Sequence, residues 1–139
     1  MLIPSVSLFD AHDWRWPHFS PRELACKCEG RFCDGEYWHA PDFLDSLEAL
    51  RARVRRPLLI NSGHRCDGWN SEIGGATQSR HREIAVDISL IGQDRFALLA
   101  AAEELGFTGI GLGRNFLHLD RREQPARWYY KRSRSKWRS

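Results

Sequence analysis

In Ala85-Val86-Asp87-Ile88-Ser89-Leu90 and again in Phe116-Leu117-His118-Leu119-Asp120, apolar and polar residues alternate. That period of two marks strands with one face in a core. Val86, Ile88 and Leu90 then point inward and Asp87 and Ser89 project from the other face. By the same rule Leu117 and Leu119 point inward, and His118 and Asp120 share the opposite, outward face. His81 lies on the loop that leads into the first strand. A set of His81, Asp87 and His118 with one open position is what a catalytic zinc ion needs to hold and activate a water. Spacing alone leaves a second reading open, in which His118 and Asp120 form a surface pair without a metal.

A second group of reactive side chains is Cys26, Cys28 and Cys33, with Cys66 far along the chain. The Cys-x-Cys-x4-Cys spacing departs from paired Cys-x2-Cys knuckles, and Cys66 has to cross the fold to join it. Reduced thiols, disulfides formed after release from a cell, and a second, structural zinc ion held by Cys26, Cys28, Cys33 and Cys66 all remain open.

The elements that must position these groups read as follows. Ser20-Pro21-Arg22-Glu23 has a capping residue, a proline at the first helical position and a glutamate at the third, and predicts a short helix. Phe43, Leu44, Leu47, Leu50 and Val54 recur at three- and four-residue spacing and predict an amphipathic helix from Pro41 to Arg55. Gln93 to Leu105 predicts a second long helix, stopped by Gly106. Pro57 to Asn61 reads as a short buried strand, Trp69 to Ile73 as a helical turn, and Gly109 to Arg114 with Phe116 to Asp120 as a hairpin. The fold class is therefore α+β, a small, largely antiparallel sheet flanked by helices on one side.

A length of 139 residues fits one domain. The longest apolar run, Phe96 to Ala102, is seven residues, against the roughly 20 that cross a bilayer, so no membrane span is expected. Met1 to Asp13 lacks a basic start followed by an apolar stretch, so no signal peptide is expected either. The net charge of +3 conceals an asymmetry: residues 1–120 carry 13 Lys and Arg against 17 Asp and Glu, and residues 121–139 carry 8 against 1. The basic end suits a frayed, solvated terminus and equally a polyanion such as an envelope polymer. Nucleic acid is not the expected partner, because residues 1–120 are net acidic and show no reading motif.

Several words follow one another in order: Phe19-Ser20-Pro21-Arg22-Glu23-Leu24-Ala25-Cys26, Leu47-Glu48-Ala49-Leu50-Arg51, Ile60-Asn61-Ser62-Gly63-His64-Arg65-Cys66 with Asn70, and Gly74-Gly75-Ala76. Ser79-Arg80-His81, Ala85-Val86-Asp87-Ile88, and Phe116-Leu117-His118-Leu119-Asp120 with Trp128 complete the series. Together they resemble the zinc D-alanyl-D-alanine carboxypeptidases, the M15-like peptidoglycan peptidases that include small phage and bacterial murein endopeptidases. The resemblance spans residues 19 to about 128. It implies a hedgehog/D,D-peptidase-like single domain with zinc held by His81, Asp87 and His118. It also implies that Arg65 polarises the scissile carbonyl or holds a substrate carboxylate, with a structural ion pair as the alternative for the bare residue. Ser79 would hydrogen-bond substrate or cap its loop.

Two departures from the family pattern stand out. Five residues separate His81 from Asp87 where the family has six with a glycine at the third, so Arg80 falls on the ligand position if the strand register is kept. His64 is then a substitute donor to consider. A glutamate that some relatives place three residues before the last His is here Asn115, which cannot take a proton. Asp120 is the remaining candidate for general base, or else orients a ligand His, and Glu83 is a further candidate.

The expectation is a zinc metallopeptidase cutting the peptidoglycan stem peptide as a D-Ala-D-Ala carboxypeptidase or endopeptidase, with Arg65 and Asp120 catalytic and Arg65 and Ser79 on substrate. The competing expectation is a catalytically impaired peptidoglycan-binding module of the same fold. A monomer is expected, made in the cytoplasm and acting on the cell wall as a phage lysis or virion enzyme. Residues 1–18 form an N-terminal extension, 19–130 the domain and 131–139 a basic tail whose tryptophan stacks on the envelope.

Overall fold

The computed structural model of the protein describes residues 1–138. In chain order the elements are β1 (Leu2–Ile3), α1 (Pro21–Leu24), β2 (Tyr37–Trp38), α2 (Pro41–Val54), β3 (Ile60–Ser62) and α3 (Asp67–Glu72). They continue with β4 (Val86–Ser89), α4 (Arg95–Glu104), β5 (Gly109–Leu112), β6 (Phe116–Asp120) and β7 (Ala126–Tyr129). Short 3-10 turns lie between them, of which Arg80–Arg82 matters most.

Local caps set where α1, α2 and α4 begin or end. Ser20 and Glu23 form a reciprocal capping box on α1. Pro41 opens α2, and Arg55 closes it in the left-handed conformation at φ 56°. Asp94 Oδ1 accepts from the Phe96 and Ala97 N–H groups at 3.1 Å, so α4 begins two residues later than its apolar pattern suggests. Phe43, Leu44, Leu47 and Leu50 of α2 and Leu98, Ala101 and Ala102 of α4 are buried in one cluster with Val86, Ile88, Ile110, Leu112, Leu117 and Leu119 of the sheet. The apolar stripes and the inward strand faces are thus the same core.

The main sheet runs β3-β4-β6-β5-β7. Its first three pairings are antiparallel and β5 with β7 is parallel, so the sheet is mixed rather than wholly antiparallel. The strand β7 escapes sequence reading because it is an edge whose residues Ala126-Arg127-Trp128-Tyr129 are all at least partly exposed. The first strand also shifts: β3 begins at Ile60, and an irregularity at Asn61 places Ser62 opposite Asp87.

Both chain ends are built into the domain. Strand β1 pairs with β2, and Trp16 and Phe19 belong to the core, so residues 1–18 are more than an appendage. At the other end Ser133 is fully buried and Trp137 is 7% exposed. The Trp137 Nε1–H donates to the Gly113 carbonyl at 2.7 Å, the ring meets Phe96 edge-on, and Arg95 lies over it. Residues 133–137 are therefore docked, not frayed, Ser139 lies outside the described residues, and Trp137 is not free to stack on a polymer. The cations Lys131, Arg132, Arg134, Lys136 and Arg138 stay exposed. Among the described residues no helix is long and apolar enough to cross a membrane.

Truncating a docked tryptophan leaves a cavity and an unpaired carbonyl. Trp137→Ala is expected to cost about 3 kcal/mol, read as a lower urea midpoint with unchanged slope, and an unchanged midpoint would mean that the terminus does not dock.

Candidate metal centre

The register of the sheet sets Asp87 of β4 directly opposite His118 of β6. Both leave the face opposite the core, as alternation requires, but that face is not open. His118 is 3% exposed and Asp120 1%, because the 3-10 turn, Arg122 and the aromatic rings of Trp128 and Tyr130 cover it. The side chains that alternation sends outward end in a second, polar interior.

His81 reaches this interior in spite of its short loop. Residues Arg80–Arg82 wind into a 3-10 turn, with the Ser79 hydroxyl accepting from the His81 N–H at 3.2 Å. The tight winding turns His81 inward, to 3% exposed, and leaves Arg80 on the surface. Arg80 therefore does not take the ligand position. The segment after β3 clamps the turn from the other side: the Arg65 N–H donates to the His81 carbonyl at 2.5 Å, and the Gly63 carbonyl accepts from His81 Nδ1 at 2.6 Å. Glycine is needed at 63 because a Cβ there would stand 2.5 Å from the Leu24 carbonyl oxygen.

These partners decide which ring nitrogens carry protons. A carbonyl only accepts, so His81 Nδ1 is protonated and Nε2 presents a lone pair. His118 Nε2 lies 2.7 Å from Asp120 Oδ2, so Nε2 is the donor and Nδ1 presents a lone pair. His81 Nε2 and His118 Nδ1 are 3.1 Å apart, and both face Asp87 Oδ1, at 3.1 and 3.0 Å. Three electron-rich atoms thus converge with no donor among them. Ligands on a tetrahedral ion at about 2.1 Å sit roughly 3.4 Å from one another, close to this spacing. The donor set fits zinc.

The electrostatics agree. Burial pushes the Asp87 carboxyl up, but His118 and His81, wherever their facing nitrogens carry a proton, prevail and hold it well below the usual carboxylate range. Burial pushes the Asp120 carboxyl up as well, and the Arg122 and His118 bonds bring it well below that range. Burial lowers His118, while Asp120 and Asp87 together raise it above its ordinary value. Two carboxylates on one imidazole call for a positive charge there, either a proton or a metal ion.

Around this centre lies a cavity of about 440 Å³. Arg65 lines it, with Nη2 3.6 Å from Asp87 Oδ2, Nη1 donating to Asn70 Oδ1 and Nε to the Ser62 hydroxyl. Burial pulls the Arg65 pKa down and Asp87 opposes it. Ser79 also lines the cavity while capping its own turn. Trp128 and Tyr130 form a wall, with Trp128 tilted against the His118 ring at 5.2 Å. Three larger hollows, of about 670, 610 and 500 Å³, contain none of the three convergent residues.

The geometry narrows three of the open candidates. Asp120 does not reach the cavity: its oxygens are taken by His118, the Arg122 guanidinium and the Arg122 N–H, so it orients His118 and is not placed to act as general base. Glu83 is exposed and outside this cavity. His64 is fully buried with both ring nitrogens engaged, by the Glu83 carbonyl and Glu36 Oε1, so it is no substitute ligand.

Residues 17–120 match the family described as peptidase M15. The chain belongs to the peptidase M15 family. It is 41% identical over 66 residues to a zinc D-Ala-D-Ala carboxypeptidase of Streptomyces albus G, a match that covers 46% of this chain and 26% of that protein. The chain thus spans about a quarter of the length of this curated relative.

Within this M15 domain several supporting residues were missed from sequence. Gly109 and Gly111 of β5 stand opposite Asp120 and His118. A Cβ at Gly109 would lie 1.9 Å from Asp120 Oδ1, and one at Gly111 would meet the Trp128 and Tyr130 rings. Alternate glycines in a strand were the available signal, since such glycines mark close approach. Arg122, two residues beyond Asp120, carried no signal of its own.

The four cysteines also meet. Cys26, Cys28, Cys33 and Cys66 are unbridged, and their sulfurs all lie within 4.8 Å of one another. Burial pushes the Cys26 thiol up to about 11. Burial acts the same way on Cys28, but backbone N–H groups, that of Phe32 foremost, bring it down to about 6.

Asp120 has a depressed folded pKa, so its contribution to stability is full above the unfolded value near 4 and is lost as pH falls below it. Asp120→Asn is expected to cost about 2 kcal/mol at pH 7 and to flatten the loss of stability between pH 5 and 2. Urea unfolding at pH 7 and pH 3 checks this, and an equal cost at both would contradict the charged role.

Proposed function

We propose that this chain is a zinc metallopeptidase that hydrolyses peptide bonds of the peptidoglycan stem peptide, as a D-Ala-D-Ala carboxypeptidase or an endopeptidase. The observation that carries the reading is the convergence of His81 Nε2, His118 Nδ1 and Asp87 Oδ1 on one point beside Arg65. Membership of the M15 family and likeness to a zinc D-Ala-D-Ala carboxypeptidase support it.

His81, Asp87 and His118 would hold the ion. Zinc in such a site lowers the pKa of its water and polarises a carbonyl. Arg65, largely withdrawn from solvent and braced by Asn70 and Ser62, places a positive charge where the oxygen of a scissile carbonyl would gain negative charge, or where a terminal carboxylate would dock. Trp128 and Tyr130 narrow the cavity and limit water around the reacting bond. Asp120 fixes the His118 ring so that Nδ1 faces His81 Nε2 and Asp87 Oδ1. The exposed cations of residues 131–138 would add attraction to an anionic envelope. A phage lysis or virion enzyme acting on the wall fits this chemistry.

One observation favours a second reading, a peptidoglycan-binding module with weak or no catalysis. Among the described residues Asp87 is the only carboxylate that lines the cavity, and as a ligand it is not free to shuttle a proton.

The decisive assay is digestion of purified peptidoglycan and of a D-Ala-D-Ala-terminated peptide by zinc-loaded protein, following released D-alanine and new amino termini. Zinc-dependent release is expected, abolished in His118→Ala and lowered about 100-fold in kcat for Arg65→Lys, which loses the fixed fork. Zinc bound at the three residues with neither product formed would establish the binding module. Zinc affinity is also expected to fall as pH drops from 7 to 5, because a proton competes for His118, whose pKa is raised by Asp120 and Asp87. An affinity that is flat from pH 7 to 5 would count against the histidine ligands.

A further inference from the structure

We propose that Cys26, Cys28, Cys33 and Cys66 form a closed, structural zinc site separate from the His81, Asp87 and His118 centre. The four Sγ atoms lie within 4.8 Å of one another and Cys28 and Cys33 are 3.5 Å apart. A disulfide needs about 2.05 Å, whereas sulfurs on a tetrahedral zinc at about 2.3 Å stand roughly 3.8 Å from one another. The arrangement matches the second spacing. Cys26, Cys28 and Cys66 are buried, and their cluster is separate from the main core.

The backbone around the cluster is organised for charged sulfur. The Cys66 N–H donates to Cys26 Sγ, the Trp69 N–H to Cys66 Sγ and the Glu36 N–H to Cys33 Sγ, each at 3.4 Å. Donors aimed at three sulfurs from two segments favour thiolates, and adjacent buried thiolates need a cation between them. Four sulfur ligands without an open position suit a structural zinc and leave nothing for catalysis.

Such an ion would join parts of the chain that little else connects. It ties the 26–36 loop to the start of α3, where Cys66 caps the helix through its sulfur. Elsewhere the loop touches α3 by Phe32 stacked close on Gly68, where an added Cβ would meet the ring at 2.7 Å, by Arg31 over the Trp69 ring and by the exposed Arg31–Glu72 ion pair. None of these contacts alone fixes a loop of this length.

The test is zinc content by elemental analysis of protein purified under reducing conditions, together with thiol titration of the native wild type. Two zinc ions per chain are expected, with one remaining in His118→Ala and one in the double variant Cys28→Ser/Cys33→Ser. All four native thiols are expected to resist a thiol reagent until a strong chelator is added. Cobalt in place of zinc should give a thiolate-to-metal absorption that the double variant lacks and His118→Ala keeps. Thiols that titrate freely without chelator, disulfides in the wild type, or zinc lost completely in His118→Ala would each overturn the proposal. Should the double variant fail to fold, the wild-type titration and the cobalt spectrum of His118→Ala still decide it. Because the two sites are emptied by different variants, failure here is distinct from failure of the peptidase reading.

Discussion

Three lone pairs held about 3 Å apart repel one another, and the rest of the site exists to keep them there. His81 Nε2, His118 Nδ1 and Asp87 Oδ1 cannot satisfy each other, so each is fixed from behind: His81 by the Gly63 carbonyl, His118 by Asp120, and Asp87 by Arg65 nearby. Asp120 is in turn held by Arg122 in two bonds and by its N–H. Outer partners of this kind set ring orientation and tautomer at metal centres. A cation at this point would offset the repulsion, and its binding would then be coupled to the fold of this region.

The sheet makes that arrangement affordable in space rather than in charge. Antiparallel pairing of β4 with β6 brings Asp87 and His118 to the same level, and the glycines of β5 leave a trough in which Asp120 and the rings of Trp128 and Tyr130 can lie. The parallel addition of β7 then lays Trp128 beside Gly111. Large residues on the core side of β5, Ile110 and Leu112, alternate with these glycines, so one strand serves a packed apolar face and a hollow polar face at once.

How much of this was legible follows from which signals are local. Alternation in β4 and β6 gave the faces of Asp87, His118 and Asp120, and the periodicities of α2 and α4 gave the helices that back them. Burial of the second face was not legible, because what covers it comes from the 3-10 turn, Arg122 and β7, each remote or weakly patterned. The deficit of one residue between His81 and Asp87 argued for a misplaced ligand, since counting along an extended chain ignores winding. A 3-10 turn capped by Ser79 changes the direction of successive side chains, and that change lets a shorter loop deliver the same imidazole. The terminus misled for a related reason: composition reports charge, and only packing shows that Trp137 is an anchor.

The segment from Ser62 to Cys66 joins both clusters in five residues. Ser62 pairs with Asp87 across the strands, Gly63 fixes His81, His64 bridges Glu36 and the Glu83 carbonyl, Arg65 lines the cavity, and Cys66 enters the sulfur cluster. A displacement at either end therefore moves Arg65, whose guanidinium is already poised between Asp87 and Asn70. The sulfur cluster lies at the end of this segment that has no sheet to hold it, where α3 is only six residues long. A helix that short has little stability of its own, so whatever holds the four sulfurs together also sets how firmly the arginine is aimed.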